Sequence, residues 1–158
     1  MKIANSDFDL VRSLGRLLAI DVGLKRVGVA VSDEMRLTVR PLDQIERRSW
    51  KDLLRRIQAL IESNSIRGLV IGLPLTLKGE EGTAAQSMRE VARKFRLSLQ
   101  IPVYLQDERL TTFAAKANMK AEGRGSREIE RQIDSEAAAV ILRDFIASNS
   151  ALNQSNHR

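Results

Sequence analysis

Short apolar runs separated by polar breaks dominate the first third of the chain. The segments RLLAIDVG (16–23), RVGVAVSD (26–33) and RLTVRPL (36–42) are rich in Val, Ile and Leu, which is typical of β-strands. Gly23 lies in the first break, and Glu34 and Met35 lie in the second. Because the breaks are so short, the pattern predicts an antiparallel meander of three strands.

Helical and strand patterns then alternate. Ser49 and Asp52 have the spacing of a capping box, and so do Thr83 and Gln86. Each box precedes a helical stripe of apolar residues, one formed by Trp50, Leu53, Leu54, Ile57, Leu60 and Ile61 and the other by Ala85, Met88, Ala92 and Phe95. The runs RGLVIGLPL (67–75) and PVYLQDE (102–108) predict two further strands, and LKGEEG (77–82) predicts a polar loop.

The last third predicts two helices. One extends from about 112 to 122 and ends at Gly123, and the other extends from about Ile133 to Ser148 after the loose basic stretch GRGSR. Strand–helix–strand units place their strands in parallel, so we predict an α/β fold whose mixed five-stranded sheet is flanked by helices on both faces. We expect an irregular lead-in over 1–15, one domain over 16–148 and a flexible tail over 149–158.

Composition limits the size of the core, the cellular location and the kind of partner that we expect. With 158 residues, 43% of them hydrophobic, the chain can bury one sizeable core. The absence of cysteine excludes disulfides and thiolate metal sites and fits the cytoplasm, which is the location we expect. No apolar run is long enough to span a bilayer, and the first ten residues lack a signal region, so we expect no secretion. The net charge of +6 favours an anionic partner such as nucleic acid.

Three carboxylates occupy positions where apolar residues would be expected. Asp21 ends the run LLAI, and Glu108 closes the strand PVYLQDE, so both lie where strands end at one side of the predicted sheet. Asp134 begins the last helix, and Ala138 and Ile141 follow within about 40° of it on the helix surface. Each residue also has a plain structural interpretation: a turn former at Asp21, an ion pair with Arg109 at Glu108 and a helix cap at Asp134.

Convergence of these carboxylates would favour a metal site. Buried carboxylates are costly unless they are protonated, paired or bound to a cation, and mutual repulsion adds to the cost. Oxygen ligands prefer Mg²⁺ or Mn²⁺ to zinc. Spacing alone does not demonstrate that the three side chains meet.

Four segments resemble the YqgF/RuvX family of ribonuclease-H-like proteins. They are LLAIDVGLKRVGVAVSD, VIGLPLTLKGEEG, VYLQDERLTT and IDSEAAAVIL, which appear in the family's order and together extend over nearly the whole predicted domain. The resemblance implies a ribonuclease H fold and an acidic triad formed by Asp21, Glu108 and Asp134. Asp107 alternates to the opposite face of its strand, and we interpret it as structural or as a weaker ligand.

The resemblance also implies an activity. It predicts a nuclease that holds two Mg²⁺ or Mn²⁺ ions, with Asp21 bridging them and Glu108 and Asp134 each completing one coordination sphere. Two substrates are open: the 5′ end of the 16S ribosomal RNA precursor, or a Holliday junction. The sequence leaves monomer and homodimer open, although the two-fold symmetry of a DNA junction would favour a dimer.

Basic residues near the acidic positions are candidates for phosphate contacts. They are Lys25, Arg26, Lys78, Arg109, Arg124, Arg127 and Arg131. Arg109 is also a candidate for orienting Glu108, and each of these residues could equally be a solvated surface charge. The lone His157 lies in the tail and is interpreted as a surface residue rather than a general base.

Two rival functions remain. The Asp-x-Gly turn also occurs in actin-like and sugar-kinase ATPases of related fold, but those enclose a nucleotide between two lobes and this chain supplies one. A non-catalytic nucleic-acid-binding factor in ribosome assembly or transcription is the other. Intact acids at all three matched positions argue against it.

Overall fold

The fold is a five-stranded sheet with helices on both faces. The computed structural model describes residues 15–108 and 126–155, with side chains for 15–108 and 135–149. In chain order the elements are β1 (Arg16–Val22), β2 (Arg26–Ser32), β3 (Val39–Glu46), α1 (Trp50–Ser63), β4 (Ile66–Leu73), α2 (Thr83–Ser98), β5 (Val103–Asp107) and α3 (Ser126–Ser155). The strands lie side by side in the order β3-β2-β1-β4-β5.

Strand pairing confirms the predicted topology. β2 is antiparallel to both β1 and β3, whereas β4 is parallel to both β1 and β5. The strands β1, β4 and β5 therefore all end at the same side of the sheet, which we call its carboxyl end. This is the side at which open α/β sheets usually bind their ligands.

Alternation along β1 separates two apolar cores. Leu18 and Ile20 point to the face covered by α1 and α2, where Ile57 and Phe95 are fully buried. Trp50 of α1 packs edge-on against Phe95 of α2, with ring centroids 4.7 Å apart. Both predicted helical stripes are therefore core contacts.

The other face of the sheet lies under α3. Leu17 and Ala19 of β1 pack there with Ala138, Ile141 and Phe145, which confirms that Ala138 and Ile141 lie on the buried side of the last helix. This helix is longer than predicted at both ends. It begins at Ser126, within the basic stretch expected to be loose, and continues through Ser155, into the segment expected to be a flexible tail.

Two local predictions differ from the structure. β3 begins at Val39 rather than near 36, because the Asp33 carboxylate accepts hydrogen bonds from the N–H groups of Leu37 and Thr38, both at 2.7 Å. These bonds hold the chain in a turn that delays the strand. At α2 the N-cap is Gly82 and no side chain caps the helix, so the second capping box is wrong. The first is confirmed in part, since the Ser49 hydroxyl accepts from the Asp52 N–H at 3.1 Å.

Some predictions fall outside the described residues. The helix expected from about 112 to 122, its end at Gly123 and the lead-in over 1–14 are among them, as is His157. Of the helices that the structure does describe, none is both long and apolar enough to cross a membrane.

Candidate active site

Asp21 is a buried carboxylate near the carboxyl end of β1. It is 8% exposed and, by strand alternation, lies on the same face as Leu17 and Ala19, under α3. It pairs with Gly28 on β2. On the other side Ile20 pairs with Ile71, so Asp21 is level with the next residue of β4, which is Gly72.

Glu108 reaches across β4 toward Asp21. Its N–H donates to the carbonyl of Leu73 at 3.1 Å, which extends the β4–β5 pairing by one residue. Its carboxyl group lies over Gly72, where a Cβ atom would be 2.9 Å from Glu108 Cδ and 2.6 Å from Ile141 Cδ1. A side chain at Gly72 would therefore occupy the space that the Glu108 carboxyl group fills.

The two acids are electrostatically coupled. Burial first, then the charge of Asp21 and a hydrogen bond with it, and finally the charge of Asp107, raise the pKa of Glu108 to about 9. At neutral pH the metal-free protein therefore keeps a proton on Glu108. The Oε2 atom of Glu108 is buried and has no hydrogen-bond partner among the described residues.

Asp134 belongs to the first half of α3, and its side chain lies outside the described set. The next residue, Ser135, is buried, and its hydroxyl accepts a hydrogen bond from the Val29 N–H at 3.3 Å. That N–H is available because the β2–β3 register shifts between Val27 and Val29. The helix is thus held against β2 beside Gly28, the strand partner of Asp21.

The described carboxylates fit a divalent cation in chemistry but do not complete a metal site. Asp21 and Glu108 offer only oxygen ligands, and the buried Oε2 atom of Glu108 lacks a partner that a cation would supply. Where side chains are described, no three acidic, imidazole or thiol groups could jointly hold a metal. The predicted third ligand, Asp134, is outside that set, so the triad remains a prediction.

The structure describes the side chains of three of the seven predicted phosphate contacts. Lys25 and Lys78 are exposed in the loops that follow β1 and β4, and Arg26 begins β2. Lys25 and Arg26 line an open cavity of about 630 Å³. Arg127 and Arg131 are placed in α3 by backbone only, and Arg109 and Arg124 are outside the described residues. The phosphate contacts of these residues remain predictions.

Sequence reasoning missed two residues that shape the site. Gly72 interrupts an apolar strand at a position where alternation places a side chain against α3, and such a glycine is a sign of close approach by another group. Ser135 is a buried polar residue two positions before a run of buried alanines, and its hydroxyl anchors the helix through a hydrogen bond. Neither signal identifies its partner without the fold.

The sheet order and the position of the acidic pair define the class of protein: the chain has a ribonuclease-H-like fold. Its structure is similar to the Holliday junction resolvase of fowlpox virus, with a TM-score of 0.52 over 84% of this chain and 99% of that one, at 11% sequence identity. The identity is so low that the likeness concerns the fold alone.

Sequence comparisons are more specific. A family model described as "RuvX: Holliday junction resolvase" matches residues 15–148. A Roseiflexus sp. (strain RS-1) protein named "Putative pre-16S rRNA nuclease" is 40% identical over 139 residues, which cover 85% of this chain and 95% of the relative. A protein of the same name from Anaeromyxobacter sp. (strain Fw109-5) is 37% identical over 83% of this chain and 96% of the relative. The chain belongs to the RuvX family.

Proposed function

We propose that this protein is a metal-dependent nuclease that trims the 5′ end of the 16S ribosomal RNA precursor in the cytoplasm. The observation that carries the proposal is the Asp21–Glu108 pair at the carboxyl end of the sheet, in which a buried carboxylate adjoins a half-buried one. A pair of this kind is costly in an apolar protein interior and is favourable once a cation binds.

Asp21, Glu108 and Asp134 would hold the ions. Bound Mg²⁺ or Mn²⁺ supplies an activated water and stabilises the departing oxygen of the phosphodiester. The chain's own contribution is to fix its ligands. Gly72 leaves room for the Glu108 carboxyl group, and the Ser135 hydroxyl holds α3, with Asp134, against β2.

Positive side chains near this end of the sheet would hold the substrate backbone. Lys25 and Lys78 are exposed beside the acidic pair, and Arg26 lies next to Lys25 along the chain. Contacts of this kind act on phosphates and do not depend on sequence, so affinity should fall steeply with salt. The net charge of +6 supports the same conclusion.

The choice of RNA is supported by the relatives. The proteins from Roseiflexus and Anaeromyxobacter both carry the name of a pre-16S rRNA nuclease, and each covers more than four fifths of this chain at 37–40% identity. A four-way DNA junction is the second candidate substrate, since the matching family model is described as a Holliday junction resolvase.

The test is cleavage of a structured precursor RNA and of a four-way DNA junction by the purified protein, with Mg²⁺, with Mn²⁺ and with EDTA. We expect metal-dependent cleavage of the RNA at its 5′ side, and Asp21→Asn should abolish it while the circular dichroism spectrum stays unchanged. Glu80→Gln is the matched control, because it removes one exposed acid from the β4–α2 loop without touching the pair.

Each other outcome has a separate meaning. Cleavage of the junction alone would replace RNA by DNA as the substrate. Tight binding without cleavage of either substrate would favour the non-catalytic factor and end the nuclease proposal. Full activity in Asp21→Asn would remove the acidic pair from the mechanism.

A further inference from the structure

Two loops at the carboxyl end of the sheet each present a leucine followed by a lysine. Leu24 and Lys25 form the turn between β1 and β2, and Leu77 and Lys78 lie in the loop between β4 and α2. The leucine side chains are 93% and 75% exposed, respectively, and neither belongs to a core cluster of the described chain. A single exposed leucine is ordinary, but packing does not explain the same dipeptide at two loops beside one acidic site.

The first loop is held rigidly. The Gly23 N–H donates to the carbonyl of Arg26 at 2.9 Å and closes the turn around Leu24. Arg47 braces it from β3's end, since its guanidinium donates to the Gly23 carbonyl at 2.9 Å and its N–H donates to the Lys25 carbonyl at 2.8 Å. Leu24 is therefore displayed by a fixed turn.

The second loop is braced in a different way. The Thr76 N–H donates to the Glu80 carbonyl at 2.9 Å, and the Glu80 N–H donates back to the Thr76 hydroxyl at 3.1 Å. Glu81 then forms an ion pair with Arg89 of α2, which ties the loop to the helix behind it. These contacts fix the backbone on both sides of Leu77, while its side chain stays exposed to solvent.

Comparable leucines occur only at the other end of the sheet within the described chain. Leu37 is 81% exposed in the β2–β3 connection, and Leu97 is 75% exposed near the end of α2. Because β2 is antiparallel to β1, and because α2 returns the chain to the start of β5, both lie away from the acidic pair. They serve as matched controls.

We propose that Leu24 and Leu77 pack against unstacked bases beside the scissile phosphate, while Lys25 and Lys78 contact the neighbouring phosphates. The inference rests on the nucleic-acid substrate proposed above. Paired and unpaired strands both offer phosphates, so phosphate contacts alone do not distinguish them. An apolar side chain, in contrast, reaches the face of a base only when the base has left the stack. The carboxyl end of the sheet would therefore prefer unpaired or splayed nucleotides to continuous duplex.

The experiment measures binding without cleavage. Fluorescence anisotropy in EDTA would compare two RNAs of the same core sequence, one a continuous two-stranded duplex without a loop and the other interrupted by an unpaired segment that contains 2-aminopurine. The double variant Leu24→Ser/Leu77→Ser should lose about tenfold or more in affinity for the interrupted RNA, since each leucine gives up apolar contact with a base. Its affinity for the continuous duplex should stay unchanged, and the 2-aminopurine signal on binding should shrink.

Controls make the result specific. Leu37→Ser/Leu97→Ser should bind both RNAs as the wild type does, and Lys25→Ala/Lys78→Ala should weaken both equally and reduce the salt dependence. Equal losses on both RNAs, or no loss, for the Leu24/Leu77 variant would overturn the inference. Cleavage is measured separately. If the wild type does not cleave but the Leu24/Leu77 variant still loses affinity for the interrupted RNA, the nuclease proposal alone is refuted. If the wild type cleaves and the Leu24/Leu77 variant binds both RNAs as the wild type does, this inference alone is refuted.

Discussion

Replacing Glu108 by glutamine should stabilise the metal-free protein by an amount that grows with pH. Glutamine has nearly the same shape, and its amide can donate to the Asp21 carboxylate in place of the carboxyl proton. The pKa of Glu108 is raised from 4.5 to about 9 in the folded protein, chiefly by burial and then by Asp21. Between these pH values the folded state binds a proton that the unfolded chain has released, so wild-type stability falls as pH rises.

The size of the effect follows from that interval. One proton held over one pH unit corresponds to about 1.4 kcal/mol, so the interval from 4.5 to pH 7 corresponds to about 3 kcal/mol. Near pH 4.5 and below, both the wild type and Glu108→Gln carry a neutral side chain, and their free energies of unfolding should differ by less than about 1 kcal/mol. The advantage of the variant should appear above pH 4.5, rise through pH 7 and level off near pH 9.

Urea unfolding monitored by circular dichroism, in EDTA at several pH values from 4.5 to 9, measures this difference directly. Glu62→Gln is the control, since Glu62 is an exposed glutamate on α1, and its stability curve should follow that of the wild type. Addition of Mg²⁺ should stabilise the wild type more than Glu108→Gln, because the cation takes the place of the proton on a carboxylate. Wild-type and Glu108→Gln stabilities that run parallel across the whole pH range would refute the raised pKa of Glu108.

Two further substitutions test how the site is built. Gly72→Ala places a Cβ against the Glu108 carboxyl group and Ile141, so it should cost about 1–3 kcal/mol of stability and lower Mg²⁺ affinity about tenfold in calorimetry. Gly82→Ala, which meets nothing within 4 Å, should leave that affinity unchanged, and equal affinities in both variants would show that Gly72 has no special role. Ser135→Ala should cost about 1 kcal/mol and speed hydrogen exchange at the Val29 amide, because the bond to Val29 is lost. Unchanged exchange there would contradict the anchoring role, and the exposed Ser148→Ala is the control.

Much of the fold was predictable because its signals are local. Alternating apolar residues in β1 and β2, and the helical stripes of α1 and α2, mark the buried face of each element without reference to the rest of the chain. Short connections then decided which strands are antiparallel, and the helical crossovers decided which are parallel.

The errors occurred where backbone hydrogen bonds depend on one side chain or on none. The Asp33 carboxylate holds two N–H groups and shifts the start of β3, which alternation does not reveal. Thr83 has the right spacing for a cap, yet the chain uses Gly82 as the N-cap residue and leaves the first turn uncapped by a side chain. Helix boundaries at α3 were misjudged because the polar residues around Ser126 and Ser155 carry no apolar periodicity.

For the site, the sequence identified the acids but not their surroundings. Asp21 and Glu108 stand out as carboxylates among apolar residues, and parallel strand order placed them at one end of the sheet. Their contact depends on Gly72, which is distant in sequence from both, and on a register that no local pattern specifies.

The hydrogen bond between Val29 and Ser135 joins positions 106 residues apart. During synthesis, β2 therefore leaves the ribosome well before α3, and this hydrogen bond forms only after α3 has been made. At a synthesis rate of about 5–20 residues per second, that delay is roughly 5–20 seconds on the ribosome. During it, a nascent chain already carries Asp21 but lacks the helix that covers it. Prematurely terminated fragments that end before α3 should therefore lack the proposed nuclease activity.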